Sequence, residues 1–156
     1  MLKEKHNEIL ALDTSVLIEY LDKSSPYSNI VERIFSRALR NEISLHTTSL
    51  VISELLYVSS RFYKEMDIPQ PNEYAYKYIL WLKNYIGLKI HNIDYKLSLK
   101  IGKFKKVLKI ALTDCSVIAL AQVINGISLF RKVEREMEPI LNILRELNVK
   151  FLDEIL

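Results

Sequence analysis

The chain has 156 residues, 49% hydrophobic and 26% charged, with a formal charge of +3 at pH 7. This length suits one domain with a single core, which we expect to span residues 1–156, and the lone cysteine, Cys115, excludes an internal disulfide. The charged N-terminus lacks the apolar centre of a signal peptide and no apolar run reaches membrane-spanning length, so we expect a cytoplasmic protein without membrane contact.

Strand and helix signals alternate along the first half of the chain. The apolar run from Ile9 to Leu12 ends at Asp13 and is typical of a parallel strand buried on both faces. Thr14 and Ser15 then offer caps for a short helix over 16–21. The patterns that follow predict a helix over 27–40, a strand over 43–46, a helix over 50–63, a helix from the Pro-rich break to residue 85, and a strand over 88–93.

The second half continues in the same way. Asp94 is expected to cap a lysine-rich helix over 95–108, and the next helix begins in 111–122 and ends near Asn125. A strand over 127–130, a helix over 133–147 and a fifth strand over 149–152 complete the order. We therefore expect an α/β fold, a three-layer α/β/α sandwich with a central, mainly parallel sheet of about five strands.

Three acidic residues lack the basic neighbours that surface acids usually have. Asp13 lies at the carboxyl end of the first strand, where open parallel sheets bind ligands. Glu54 lies within a predicted helix and has no Lys or Arg three or four residues away. Asp114 lies in the first turn of a helix that is apolar on nearly every side. The alternatives are helix caps for Asp13 and Asp114 and a solvated surface position for Glu54.

A shared cation would explain all three positions. Carboxylates that lie close together raise one another's pKa unless a cation compensates them. Oxygen ligands of this kind hold hard divalent ions such as Mg²⁺ or Mn²⁺. We therefore expect Asp13, Glu54 and Asp114 to converge on one metal site at the carboxyl edge of the sheet.

Three segments occur in a characteristic order: ILALDTSVLIEYL, SELLY and LTDCSVIALAQ. Together they resemble the PIN-domain ribonucleases, including toxins of the VapC type. The resemblance implies a PIN-like fold and a metal-dependent endoribonuclease that cleaves RNA with Mg²⁺ or Mn²⁺, with a cognate antitoxin as a partner. It also places the first three acids of the family at Asp13, Glu54 and Asp114.

The family's pattern usually has a fourth acid just after the fourth strand, often as Thr-x-Asp. Here the strand leads into SLFRKVEREMEP, which contains no Asp. Glu134 is the nearest substitute and Glu136 the next, so we assign Glu134 to the fourth catalytic position. A solvated helix face is the alternative for this segment.

Two other functions stay open. A non-catalytic PIN-like module that binds RNA or a protein partner is favoured by the missing Thr-x-Asp. A receiver-like signalling domain would need paired acids beside the first strand and a Lys after the fifth, and neither is evident.

Two side-chain stripes indicate further contacts. Lys96, Lys100 and Lys103 share one helical stripe, which would guide an RNA backbone towards the site or form an ordinary solvated face. An aromatic stripe is more typical of core, with a subunit interface as the alternative, and from it we expect a homodimer or higher homo-oligomer. Its members are Tyr74, Tyr78, Trp81, Leu82 and Tyr85. Cys115 is interpreted as a small buried residue and not as a nucleophile.

Overall fold

A five-stranded parallel sheet lies at the centre of the structure, a computed structural model that describes residues 7–155. Within that range the elements are β1 Glu8–Leu12, α1 Thr14–Leu17, α2 Ser28–Leu39, β2 Ile43–Thr48, α3 Ser49–Glu65, α4 Pro71–Trp81, β3 Lys89–His91, α5 Tyr95–Leu108, α6 Leu112–Ile124, β4 Ile127–Phe130, α7 Leu141–Glu146 and β5 Val149–Phe151. Short 3₁₀ segments cover Ile18–Tyr20, Glu138–Ile140 and Leu152–Glu154, and a π-helical turn covers Leu82–Ile86. The expected α/β/α sandwich is confirmed.

The order of the strands determines where a ligand would bind. The strands lie in the order β3-β2-β1-β4-β5, and each neighbouring pair is parallel. Leu10 of the central strand pairs with Leu45 on one side and with Ile127 on the other. The chain order therefore reverses between β1 and β4, and ligands bind beyond the carboxyl ends of the strands at such a switch point.

Helix α6 is apolar all round because it lies between other layers. The side chains from Cys115 to Ala121 are all buried, and the helix packs against α5 and against β1, β2 and β4. The interpretation of Cys115 as a small buried residue is confirmed, and burial raises the pKa of its thiol to about 11. No single helix in the described range is long and apolar enough to span a membrane; only α5 and α6 together meet that criterion, and they are bent by 119°.

The predicted helix over 133–147 is wrong in its first part. Residues 133–137 are not helical, and α7 begins only at Leu141, after a 3₁₀ turn. Pro139 explains the difference, since proline lacks an N–H and disfavours the helical conformation of the residue before it. The segment after β4 is therefore an irregular loop, anchored by the buried side chain of Met137.

The aromatic stripe divides between the core and the surface. Tyr78 and Leu82 are buried, and the Tyr78 hydroxyl donates a hydrogen bond of 2.6 Å to the carbonyl of Leu17. Tyr74 and Tyr85, by contrast, are 43% and 61% exposed. The stripe therefore contributes to the core on one edge only, and the subunit interface stays a prediction.

Candidate active site

Asp13 directly follows the central strand, and hydrogen bonds to two backbone groups hold it in place. Its N–H donates to the carbonyl of Leu129 on β4 over 3.1 Å. Its Oδ2 accepts a hydrogen bond of 2.9 Å from the N–H of Ser15, so Asp13 is the N-cap of α1. The expectation that Thr14 and Ser15 supply this cap is wrong, because Asp13 is the residue with the extended backbone that points its carboxylate at the first amides.

Capping uses only one of the two carboxylate oxygens of Asp13. The residue is 5% exposed, and Oδ1 is buried without a hydrogen-bond partner among residues 7–155. Burial raises the pKa of Asp13 to about 6, and the charge of Glu54 adds to that effect. A buried acceptor without a donor is costly, so this oxygen is where a cation would be most stabilising.

Asp114 lies in the first turn of α6 and is half-buried. Its side chain makes no hydrogen bond with any residue that the structure describes, so it does not cap α6. Its pKa is raised to about 8, first by burial and then by the charges of Asp13, Glu134, Glu54 and Glu136. Asp13, Glu54 and Glu134, from three other parts of the fold, are thus near enough for their charges to affect the pKa of Asp114.

The other two candidate acids differ in their exposure. Glu54 is half-buried on α3, the helix that directly follows β2, and it takes part in no ion pair within 7–155. Glu134 is exposed in the loop after β4, where its carbonyl accepts a hydrogen bond from Met137. A shallow space of about 470 Å³ opens beside Glu134 and Glu136. Asp13 is therefore buried, Asp114 and Glu54 are half-buried, and Glu134 is exposed.

The donor set fits a hard divalent cation. All the candidate ligands are carboxylate oxygens, the ligand type that Mg²⁺ and Mn²⁺ prefer, and one of them is buried without a partner. No three His, Cys, Asp or Glu side chains of the described range already stand close enough to form a metal ligand set. Burial is the main cause of the raised pKa values of Asp13 and Asp114, the charges of neighbouring acids add to it, and a bound cation would offset both effects.

Sequence comparison assigns the family. Residues 10–138 match the family model described as PIN domain, a range that contains all four acids. The chain belongs to the PIN-domain family. No curated protein matches it significantly.

Solved structures share the PIN-domain fold at low sequence identity. VapBC2 from Rickettsia felis, solved bound to a promoter DNA fragment, is 15% identical with a TM-score of 0.65, over 92% of this chain and 98% of that one. VapBC-1 from nontypeable Haemophilus influenzae is 19% identical, with a TM-score of 0.62, over 93% of this chain and 98% of that one. VapC20 from Mycobacterium tuberculosis is described as a Sarcin-Ricin loop cleaving toxin. It is 8% identical, with a TM-score of 0.61, over 84% of this chain and 94% of that one.

An ion pair beside the acids of this PIN domain was not predicted from the sequence. Arg131, the first residue after β4, donates from Nη1 to Oε1 of Glu19 over 2.9 Å. The Glu19 side chain is only 6% exposed, and its second oxygen accepts a hydrogen bond from the Ser25 hydroxyl. The N–H of Arg131 donates to Oγ of Ser15, the residue whose own N–H binds Asp13. The network therefore joins the loop after β4 to the Asp13 turn.

The sequence contains a misleading signal at Glu19. Lys23 lies four residues further on and would be its expected helical partner. In the structure Lys23 instead lies 4.0 Å from the centre of the Tyr20 ring and 3.9 Å from the carboxylate of Glu32. With Lys23 four residues further on, Glu19 therefore has the sequence pattern of an ordinary surface acid.

The stability of the metal-free PIN domain should fall as the pH rises from about 6.5 to 8. The folded pKa values of Asp13 and Asp114, about 6 and 8, lie above the ordinary value of 3.8, so the folded state keeps protons that the unfolded chain has released. His46 and His91, whose pKa values burial lowers in the folded state, contribute equally to wild type and to Asp114→Asn, so the comparison of the two isolates the acid. Urea unfolding in EDTA across the range should show the decline in wild type and much less of it in Asp114→Asn. If the stability of wild type and of Asp114→Asn declined equally with pH, Asp114 would not be the group responsible.

Proposed function

We propose that this PIN domain is a metal-dependent endoribonuclease that hydrolyses RNA phosphodiester bonds in the cytoplasm, and that it is the toxin of a toxin–antitoxin pair. The observation that supports the proposal is the carboxylate cluster, in which Asp13 has an unpartnered buried oxygen and Asp114 a pKa of about 8. A protein gains nothing in stability by gathering such groups, so their convergence favours a functional site.

Each acid has a distinct part in the proposed site. Asp13 and Asp114 would hold Mg²⁺ or Mn²⁺, and Glu54 would complete the site directly or through water. The ion, when bound, supplies a water of lowered pKa and stabilises the charge on the attacked phosphate. Asp13 is kept in place by its bond to Ser15 and by its backbone bond to β4. Glu134, which is exposed in the loop after β4, would take the fourth acidic position.

The chain needs no nucleophile of its own for this chemistry. The thiol of Cys115 is buried and its pKa is raised to about 11, so it does not supply a thiolate near neutral pH. Hydrolysis by an activated water is consistent with that environment.

We further propose that residues 1–156 form one domain, that the protein assembles as a homodimer or higher homo-oligomer, and that an antitoxin binds it. Two similar structures are VapBC proteins, and another is described as a toxin–antitoxin complex from Klebsiella pneumoniae, 16% identical with a TM-score of 0.56. These complexes support an antitoxin partner for this chain.

Divalent metal should stabilise the folded protein, because only the folded state gathers the carboxylates. At a metal concentration of about 100 times the dissociation constant, the expected gain is about 2.7 kcal/mol. Melting temperatures measured in EDTA and in millimolar Mg²⁺ or Mn²⁺ should differ in wild type and differ little in Asp114→Asn. Equal melting temperatures for wild type in both buffers would count against a metal site.

A panel of fluorescent single-stranded and loop RNAs tests the activity. Wild type should cleave RNA in Mg²⁺ or Mn²⁺ and stop when EDTA is added. The exposed Glu134, in place of the family's usual Asp, favours one alternative, a non-catalytic module. Binding of RNA or of a protein partner without any cleavage would establish that alternative.

A further inference from the structure

An apolar groove of about 580 Å³ lies between α5 and α7, and we refer to it as the α5–α7 groove. Its apolar lining includes Leu99, Val107 and Ile143, which are 52%, 64% and 41% exposed. None of the four acids of the candidate active site lines it. Aliphatic side chains with this much exposure indicate a surface that binds another molecule.

Three cations border this groove. Lys96, Lys100 and Lys103 fall at successive turns of α5, so they span seven residues, or about 10 Å at the helical rise of ~1.5 Å per residue. None of them takes part in an ion pair within residues 7–155, and no acidic side chain lines the groove. A ligand for it would therefore combine apolar groups with a row of negative charges.

The apolar lining of the groove favours a peptide over RNA as its ligand. An RNA backbone would bring phosphates to the lysines, yet the apolar lining is mainly aliphatic, and its single aromatic side chain, Phe104, is partly buried and offers at most one face for stacking bases. An acidic amphipathic helix carries apolar side chains along one stripe and acidic residues beside it. The stripe matches the apolar lining of the groove, and the acidic residues match the three lysines.

We propose that the α5–α7 groove binds an acidic amphipathic helix of a protein partner. The apolar stripe of that helix packs on Leu99, Val107 and Ile143, and its carboxylates pair with the three lysines. The proposal names a surface for a protein partner and does not rest on nuclease activity.

A synthetic amphipathic peptide of leucine and glutamate, labelled with fluorescein, tests this inference on the full chain. Fluorescence anisotropy at low salt should show binding, and a scrambled peptide of the same composition should bind weakly. Lys100→Glu should weaken binding by about tenfold or more. Lys106→Glu makes the same charge change on the same helix outside the groove and should alter binding little. Ile143→Ala should weaken binding, while Val123→Ala, at an exposed position of α6, should not.

Several results would overturn the proposal. Failure of the amphipathic peptide to bind at millimolar concentration, or equal losses in Lys100→Glu and Lys106→Glu, would do so. Weaker binding of a labelled single-stranded RNA by the Lys100→Glu variant, with peptide binding unchanged, would assign the surface to RNA. A shift of Ile143→Ala to a smaller oligomer in sedimentation would show that a second copy covers the groove. RNA cleavage measured in parallel separates these outcomes from a failure of the proposed activity.

Discussion

Asp13→Asn and Asp114→Asn should each reduce metal-dependent RNA cleavage by about a thousandfold, which corresponds to about 4 kcal/mol of transition-state stabilisation. Each change removes an anionic ligand from the ion that activates water. The fold should survive, since the carboxamide introduced by Asp13→Asn keeps an acceptor for the Ser15 amide and relieves a costly burial of charge. The rates are compared on the same fluorescent RNA panel under single-turnover conditions, with circular dichroism as the check on folding.

Two further variants sharpen that comparison. Glu54→Gln should lose activity, whereas Glu65→Gln, an exposed position on the same helix, should not. Glu134→Gln should cost less than either Asp substitution because Glu134 is exposed. If wild type and both Asp variants cleave at the same rate, the activity is a contaminant and the catalytic proposal fails.

Arg131→Ala should lower the free energy of unfolding by about 3 kcal/mol, the cost of leaving a buried charge without its partner. The stranded group is Glu19, whose side chain is 6% exposed and would keep only the Ser25 hydroxyl as a donor. The backbone bond from residue 131 to Ser15 stays in the variant, so the loss reports on the ion pair itself.

Arg145→Ala provides a matched control for that measurement. Arg145 and Glu154 form a pair of nearly the same length, 3.0 Å against 2.9 Å, but their side chains are 59% and 38% exposed. An exposed pair contributes about 0–1 kcal/mol. Urea unfolding should separate the two variants, and adding Glu19→Gln to Arg131→Ala should recover part of the loss. Equal effects of the two Ala substitutions would show that the Glu19 pair is no stronger than a surface pair.

The alternation of strands and helices could be predicted from local patterns alone. The apolar periods and the cap at Asp94 locate α5 at 95–108 and β4 at 127–130, as the structure has them. The prediction fails over 133–137, where a helical pattern of Glu and Arg meets Pro139. Hydrophobic periodicity therefore predicted the helices and strands where no proline restricted the backbone.

The candidate acids could also be identified before the fold was known, because an acid in an apolar segment without a basic neighbour is a local anomaly. What the pattern could not separate was capping from ligation at Asp13. Both functions need a carboxylate at the end of a strand, and the structure shows one oxygen used for the cap and the other left without a partner among the described residues.

Only the tertiary structure decided which distant groups meet. Glu19 and Arg131 are 112 positions apart, so no helical spacing links them, and the nearer Lys23 satisfies the local rule without making the contact. The depth at which Asp13 and Asp114 lie, and hence their raised pKa values, depends on α6 packing against the sheet. Local sequence determines periodicity and caps, whereas desolvation and charge pairing across the fold depend on which surfaces the folded chain brings together.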